Sequence, residues 1–157
     1  MVLTSTSYFN NVMMPAKYAH RGIYTGQNIS PQFAWSEYPG DTRSFVLIMV
    51  DRHPKAKSWV HWLLTDIPVS VNKIVEGASH SSKMPEGIQE LINTYGEMGY
   101  GGPQPPKGTG KHQYETTVYA LNIDKTGLKG QMDESKVMAK IRPHILAQAV
   151  LNGYFIN

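Results

Sequence analysis

Residues 43–50 read Arg43-Ser-Phe-Val-Leu-Ile-Met-Val50, an apolar run bounded by Pro39-Gly40 and Pro54. Its shortness and its strand-forming residues predict a buried strand. Downstream, Ser58-Trp-Val-His-Trp-Leu-Leu-Thr65 predicts a second strand, stopped near Ile67-Pro68. A period of two puts Trp59, His61 and Leu63 on one face and Val60, Trp62 and Leu64 on the other. Glu115–Asp124 predicts a third strand, and its alternation extended backwards places His112, Tyr114, Thr116 and Val118 on one side. One helix is expected late in the chain. Asp133 caps it, and Val137, Met138, Ile141, Ile145, Leu146 and Ala149 recur at helical spacing. Pro143 should kink or split this helix, and Gly153 falls where a left-handed C-terminal cap belongs. Strands punctuated by Gly/Pro turns, with one late helix, predict a mainly β fold: an antiparallel β-sandwich with peripheral helices.

The 157 residues suit one domain over 1–157 with a sizeable core. Hydrophobic residues at 41% and charged residues at 17% argue for a globular chain and against disorder. A net charge of +3 with scattered cations shows no basic stripe, so nucleic acid is not an expected partner. The absence of cysteine excludes disulfides and thiolate metal sites. No basic segment followed by an apolar one opens the chain, and no apolar run approaches a membrane span. A cytoplasmic protein without integral membrane association is expected.

G-x-S-x-G, Walker A and HExxH motifs are all absent. Gly99-Tyr-Gly101-Gly102 lacks the third glycine, strand and helix of a dinucleotide fingerprint. What remains is polar residues at strand ends. Asp51 follows the first apolar run directly, as a turn residue or a functional carboxylate. His61 sits inside a strand, as a hydrogen-bonded core histidine or a site residue. His112 closes the stretch Gly96–His112, which is dense in glycine and proline. Glycines 99, 101, 102, 108 and 110 permit positive φ and close approach, so successive N–H groups are expected to converge on an anion. Pro103, Pro105 and Pro106 stiffen the same loop and make a cis X-Pro bond a candidate feature. A rigid rim fits this mixture better than a tether. Asp51, His61 and His112 would make a three-ligand metal set, but without close ligand spacing no metal is expected.

Three stretches in order then carry a resemblance: Gly26-Gln-Asn28-Ile-Ser30-Pro31-Gln-Phe-Ala-Trp35, Val60-His61-Trp62, and Tyr100 through His112-Gln-Tyr114. They resemble the phosphatidylethanolamine-binding protein (PEBP) family, in its bacterial and archaeal, Raf kinase inhibitor-like branch. His144–Tyr154 looks like the C-terminal helix of that branch. The resemblance implies two antiparallel sheets and a small pocket at one end for phosphate-like anions, including phospholipid head groups. By motif, Asp51 matches the pocket aspartate and His61 the histidine of a His-Trp pair. Gly101, Gly102, Pro105 and Pro106 match the glycine-proline wall, and His112 and Tyr114 the residues that close it. Asp51 is expected to orient His61 and favour its charged form, while His112 donates to the anion. Two departures stand out: the family's Asp-Pro-Asp-Ala-Pro becomes Asp51-Arg52-His53-Pro54, and its His-Arg-Tyr becomes His112-Gln113-Tyr114. A carboxylate and a guanidinium are lost together, as expected of a rim ion pair.

The leading reading is a non-enzymatic, cofactor-free binding protein for a phosphate-bearing ligand. The alternatives are an inhibitor of a kinase or serine protease, and an unrecognised hydrolase with His61 or His112 as base. Candidate partners are a phosphate-like anion or phospholipid head group, a kinase or protease, and a second copy of the chain.

Overall fold

The computed structural model describes residues 1–157. In chain order its elements are β1 (Val2–Thr4), β2 (Val12–Met13), β3 (Phe33–Ser36), β4 (Ser44–Asp51), β5 (Trp59–Pro68), β6 (Lys73–Ile74), β7 (Gln89–Glu90), β8 (His112–Leu121), α1 (Glu134–Ile141) and β9 (Ile145–Phe155). Two sheets form, a small one in the order β1-β3-β6 and a large one in the order β2-β9-β8-β4-β5-β7. Every pairing is antiparallel except that of β2 with β9, so the large sheet carries one parallel edge pair.

The large sheet is the middle layer. Phe45, Leu47 and Met49 of β4 pack inward with Phe33 and Trp35 of the small sheet. Val46, Ile48 and Val50 pack outward with Val137 and Ile141 of α1. A strand covered on both faces reads as a continuous apolar run rather than an alternating one, which is why 43–50 looks as it does. Asp51 and Arg52 follow, and they leave the strand toward opposite faces.

Two expectations are overturned. The helix is real at its start, where the Asp133 side chain accepts from the Lys136 N–H at 2.8 Å. It ends at Ile141, and residues 142–144 form a single 3-10 turn. Pro143 lacks an N–H and clashes with the carbonyl four residues earlier, so the helix cannot continue through it. Ile145, Leu146 and Ala149 therefore lie on β9, not on a helix, and His144–Tyr154 is no terminal helix either. Gly153 caps nothing. It sits in the strand because a Cβ there would meet Met14 Cγ at 2.6 Å and Tyr8 Cε2 at 2.8 Å. The alternate burial of Ala149, Leu151, Gly153 and Phe155 is the period of two that marks a strand. The prolines hold no cis bond; all peptide bonds are trans.

The second correction concerns β5. Met49 pairs with Trp62 and Val50 with Val60, leaving His61 as an extra, bulged residue. Val60 and Leu63 consequently pack outward together, whereas Trp62 and Leu64 pack inward. His61 does not share a face with Leu63. It turns inward, edge-on to the Tyr114 ring with centroids 5.0 Å apart.

Candidate functional site

The register of the large sheet gathers the polar strand ends. Asp51 stands opposite Trp59 of β5 and Tyr114 of β8, so all three side chains leave the same face. His112, two residues before Tyr114, joins them by the period of two, and the bulge adds His61. Beside them is a cavity of about 190 Å³, lined by Asp51, Lys55, Ala56, Trp59, His61, Tyr95, Gln104, Pro105, Pro106, His112 and Tyr114. Such a space fits a phosphate-sized group with a short tail; pockets for drug-sized ligands run to roughly 300–1,000 Å³.

Asp51 is buried and saturated. Its Oδ2 accepts from His112 Nδ1 at 2.6 Å, and its Oδ1 accepts from the His53 N–H at 2.8 Å. The Asp-His pairing differs from the one expected, in which Asp51 orients His61. Instead His61 Nδ1–H donates to the Gly101 carbonyl at 2.6 Å. Burial, the largest influence, lowers the His61 pKa from 6.5 to about 4 despite the favourable charge of Asp51. His61 is thus neutral at pH 7, with the lone pair of Nε2 unused by the protein. His112 is engaged at both nitrogens: Nε2 lies 2.9 Å from Thr109 Oγ1, which in turn lies 2.7 Å from the Pro106 carbonyl. His53 stacks on it with ring centroids 3.8 Å apart. His112 therefore supports the site through Asp51 and the loop rather than offering a free donor to an anion.

The donors lie elsewhere. Tyr114 OH and Trp59 Nε1 are buried and have no hydrogen-bond partner in the protein. Burial first, and then the Asp51 charge, push the Tyr114 pKa up, so its hydroxyl keeps its proton. Buried donors left unpaired are costly; Tyr8 OH, Trp35 Nε1 and Thr116 Oγ1 are unpartnered too, but of the five only Tyr114 and Trp59 line the cavity. Lys55 adds an exposed ammonium at the cavity wall.

The glycine loop plays another part than the one expected of it. The Gly101 N–H donates to the His61 carbonyl at 2.9 Å and the Gly102 N–H to Asn28 Oδ1 at 2.7 Å. The Gly99 and Tyr100 N–H groups go to the Leu91 carbonyl and Ser79 Oγ. Residues 99–102 thus leave no N–H free for an anion, and neither Gly101 nor Gly102 lines the cavity. Their smallness serves packing: a Cβ on Gly102 would lie 2.1 Å from the Tyr18 carbonyl oxygen, and one on Gly101 2.5 Å from the Tyr95 ring. The loop braces the bulge at His61, and Pro105 and Pro106 form a wall.

Lys55, Ala56, Tyr95 and Gln104 were not legible as lining residues, since they reach the cavity from turns without periodicity. Trp59 had a signal, its shared register with Asp51. At the departures from the family motif, Arg52 binds Glu115 Oε1 at 2.7 Å and Glu134 Oε2 at 2.5 Å, on the outer side of the sheet. Gln113 donates to Asn152 Oδ1 at 2.9 Å. No three His, Cys, Asp or Glu side chains converge to hold a metal ion, and no helix is long and apolar enough to cross a membrane.

The chain is a β-sandwich with a small cavity at one end of its central strands, and it belongs to a known family. The model of the phosphatidylethanolamine-binding protein family matches residues 4–156. A UPF0098 protein of Aquifex aeolicus is 37% identical over 159 residues, covering 99% of this chain and 88% of that protein. The crystal structure of Escherichia coli YbcL, described as a new member of the mammalian PEBP family, superposes with a TM-score of 0.91 at 27% identity, covering 99% and 98% of the two chains. The carboxypeptidase Y inhibitor, solved with its cognate proteinase, shares the fold at a TM-score of 0.58 and 17% identity, covering 94% and 76%.

Proposed function

We infer that this protein is a non-enzymatic binding protein whose cavity takes a phosphate-bearing head group. The observation that carries this reading is the pair of buried, unpartnered donors on Tyr114 and Trp59 beside a cavity of phosphate size. Phosphate oxygens accept from both, with Lys55 supplying a compensating charge. The free lone pair of His61 Nε2 suits one donor on the ligand: a P–OH group, or the ammonium of phosphoethanolamine. Asp51 and His112 are hydrogen-bonded to one another and hold the wall in place. Thr109, His112 and Asp51 form a hydroxyl–imidazole–carboxylate chain, but the Thr109 hydroxyl donates to the Pro106 carbonyl and does not line the cavity, so we read the chain as a support for the wall rather than an activated nucleophile. Cytoplasmic residence and a single domain over 1–157 fit this reading and are part of it.

Thermal unfolding with and without phosphoethanolamine tests it. At about a hundred times its dissociation constant a ligand stabilises the native state by roughly 2.7 kcal/mol through mass action. Tyr114→Phe, which deletes one donor and nothing else, should weaken the response, and ethanol should give none. Equal responses in wild type and Tyr114→Phe would overturn the reading. No stabilisation of either by phosphoethanolamine would favour an inhibitor that acts through its surface.

A further inference from the structure

The cavity wall combines donors with one acceptor of fixed kind. Trp59 Nε1–H can only donate, and the Tyr114 hydroxyl has no acceptor in the protein. His61 is the reverse. Its Nδ1 lies 2.6 Å from the Gly101 carbonyl oxygen, and a carbonyl only accepts, so the proton of the neutral ring sits on Nδ1. Nε2 is left with a lone pair and no hydrogen. Charging the ring would make Nε2 a donor, but burial resists this and holds the pKa at about 4. Asp51 of β4, His112 and Tyr114 of β8, and Lys55 and Tyr95 from the connecting segments line the cavity with it. His20 also acts on the ring by charge, against its protonation.

The other acceptors at the wall already have partners. The Asp51 oxygens receive His112 and the His53 N–H. The Pro106 carbonyl receives the Thr109 hydroxyl, and the Pro105 carbonyl receives Asn157 Nδ2 at 2.8 Å. His61 Nε2 is the buried acceptor that an occupant has to satisfy. It stands among the donors. The His61 ring centroid is 5.0 Å from that of Tyr114, and the Tyr95 ring lies 5.6 Å from His61 and 5.2 Å from Trp59. One tetrahedral anion can meet all three groups, so the ammonium of an ethanolamine ester is not needed to occupy Nε2.

An anion in the cavity sets one of its oxygens against the Nε2 lone pair. A phosphate dianion, a phosphodiester or a sulfate brings only lone pairs of its own, and leaves Nε2 desolvated and unpaired. A phosphomonoester carrying one proton behaves differently. Its P–OH donates to Nε2 while its remaining oxygens accept from Trp59 and Tyr114. On the reading of the cavity as a phosphate site, we propose that it selects the singly protonated phosphate of a monoester and rejects phosphodiesters and sulfate, with His61 as the residue that discriminates. The selection works by exclusion: a buried acceptor left empty penalises the wrong anion more than any contact rewards the right one.

Titration calorimetry of the full chain against methyl phosphate, dimethyl phosphate, sulfate and phosphoethanolamine tests the proposal. Each is run between about pH 5 and 8 in two buffers of different ionisation enthalpy, which counts the protons taken up. The second pKa of a phosphomonoester lies near 6. Methyl phosphate should therefore bind with almost no proton uptake at about pH 5 and with nearly one proton per site at about pH 8. Its apparent affinity should fall about tenfold per pH unit above 6, as the competent form becomes scarce. Dimethyl phosphate and sulfate should bind at least about tenfold more weakly at pH 6. In the methyl phosphate complex the His61 Nε2 resonance should remain that of an unprotonated nitrogen. Sulfate binding as tightly as methyl phosphate would overturn the proposal, since a charged His61 would then be the donor. Dimethyl phosphate binding equally well would overturn it too, and both results leave a phosphate site standing. Binding of phosphoethanolamine but not of methyl phosphate would assign Nε2 to the ammonium and reject the proposal alone. Binding of none of the four would reject the phosphate reading with it.

Discussion

Asp51 and Arg52 are adjacent in the chain and end the same strand, yet their surroundings are opposite in kind. Arg52 faces outward into a closed arrangement in which its guanidinium meets two carboxylates that meet it back. Glu134, and then Glu115, hold its proton more firmly than usual. Asp51 faces inward and is equally well paired, but its neighbours are not. Tyr114 OH, Trp59 Nε1 and His61 Nε2 remain without protein partners around it. The difference shows what marks a binding site here. Charge and burial occur on both faces; buried donors without a protein partner stand beside a cavity on the inner one.

Four perturbations can break or sharpen that contrast. The largest effect is expected at Asp51. Asp51→Ala leaves His112 buried without its carboxylate, a change that costs about 3–5 kcal/mol when one partner of a buried pair is removed, measurable by urea unfolding. A cost under about 1 kcal/mol would mean that the pair is dispensable to the fold. Next comes His61. It takes its proton below about 4 in the fold and below 6.5 in the unfolded chain. Between those values the unfolded state holds more protons, so stability should fall as the pH falls, by about 3 kcal/mol in all. His61→Gln should flatten that part of the pH–stability curve, and an unchanged curve would place the titration elsewhere.

Arg52→Ala is expected to cost less, about 1–2 kcal/mol, because its carboxylate partners are partly exposed and can be rehydrated. Should it cost more than Asp51→Ala, the outer network rather than the inner pair dominates this end of the sheet. The smallest effect belongs to Gln113→Ala, at the position where the family motif has arginine. Its bond to Asn152 lies at the surface, so the change should stay within about 0.5 kcal/mol.

How much of this was legible beforehand depends on which force fixes each part. The central strands were readable because burial on one or both faces writes itself into composition and period, as in RSFVLIMV and in the alternation from His112 to Val118. The late helix was readable to Ile141. Beyond Pro143 the apolar residues Ile145, Leu146 and Ala149 satisfy either period, and the choice was made by pairing with β8, which no local pattern records. The bulge at His61 is likewise a tertiary event, made when Gly101 bonds both to the His61 carbonyl and to its ring. Asp51, His61, His112, Tyr114, Pro105 and Pro106 were nameable and do surround one cavity. Gly101 and Gly102 were nameable for the wrong reason, since their N–H groups are spent on the scaffold. The Asp51–His112 pairing could not be read at all, because it depends on the register of β4 against β8.

The central claim, that surplus donors on the inner face serve a phosphate-bearing ligand, is tested most directly by the indole N–H resonances of the three tryptophans during a phosphoethanolamine titration. Trp62 donates to Glu90 Oε1 at 2.9 Å; Trp35 and Trp59 both lack a partner, but Trp35 is buried in the core between the sheets and Trp59 lines the cavity. The Trp59 signal should move downfield and saturate, as a new hydrogen bond to an anion requires, while the other two stay in place. A titration that leaves Trp59 unmoved, or shifts all three alike, would contradict the claim.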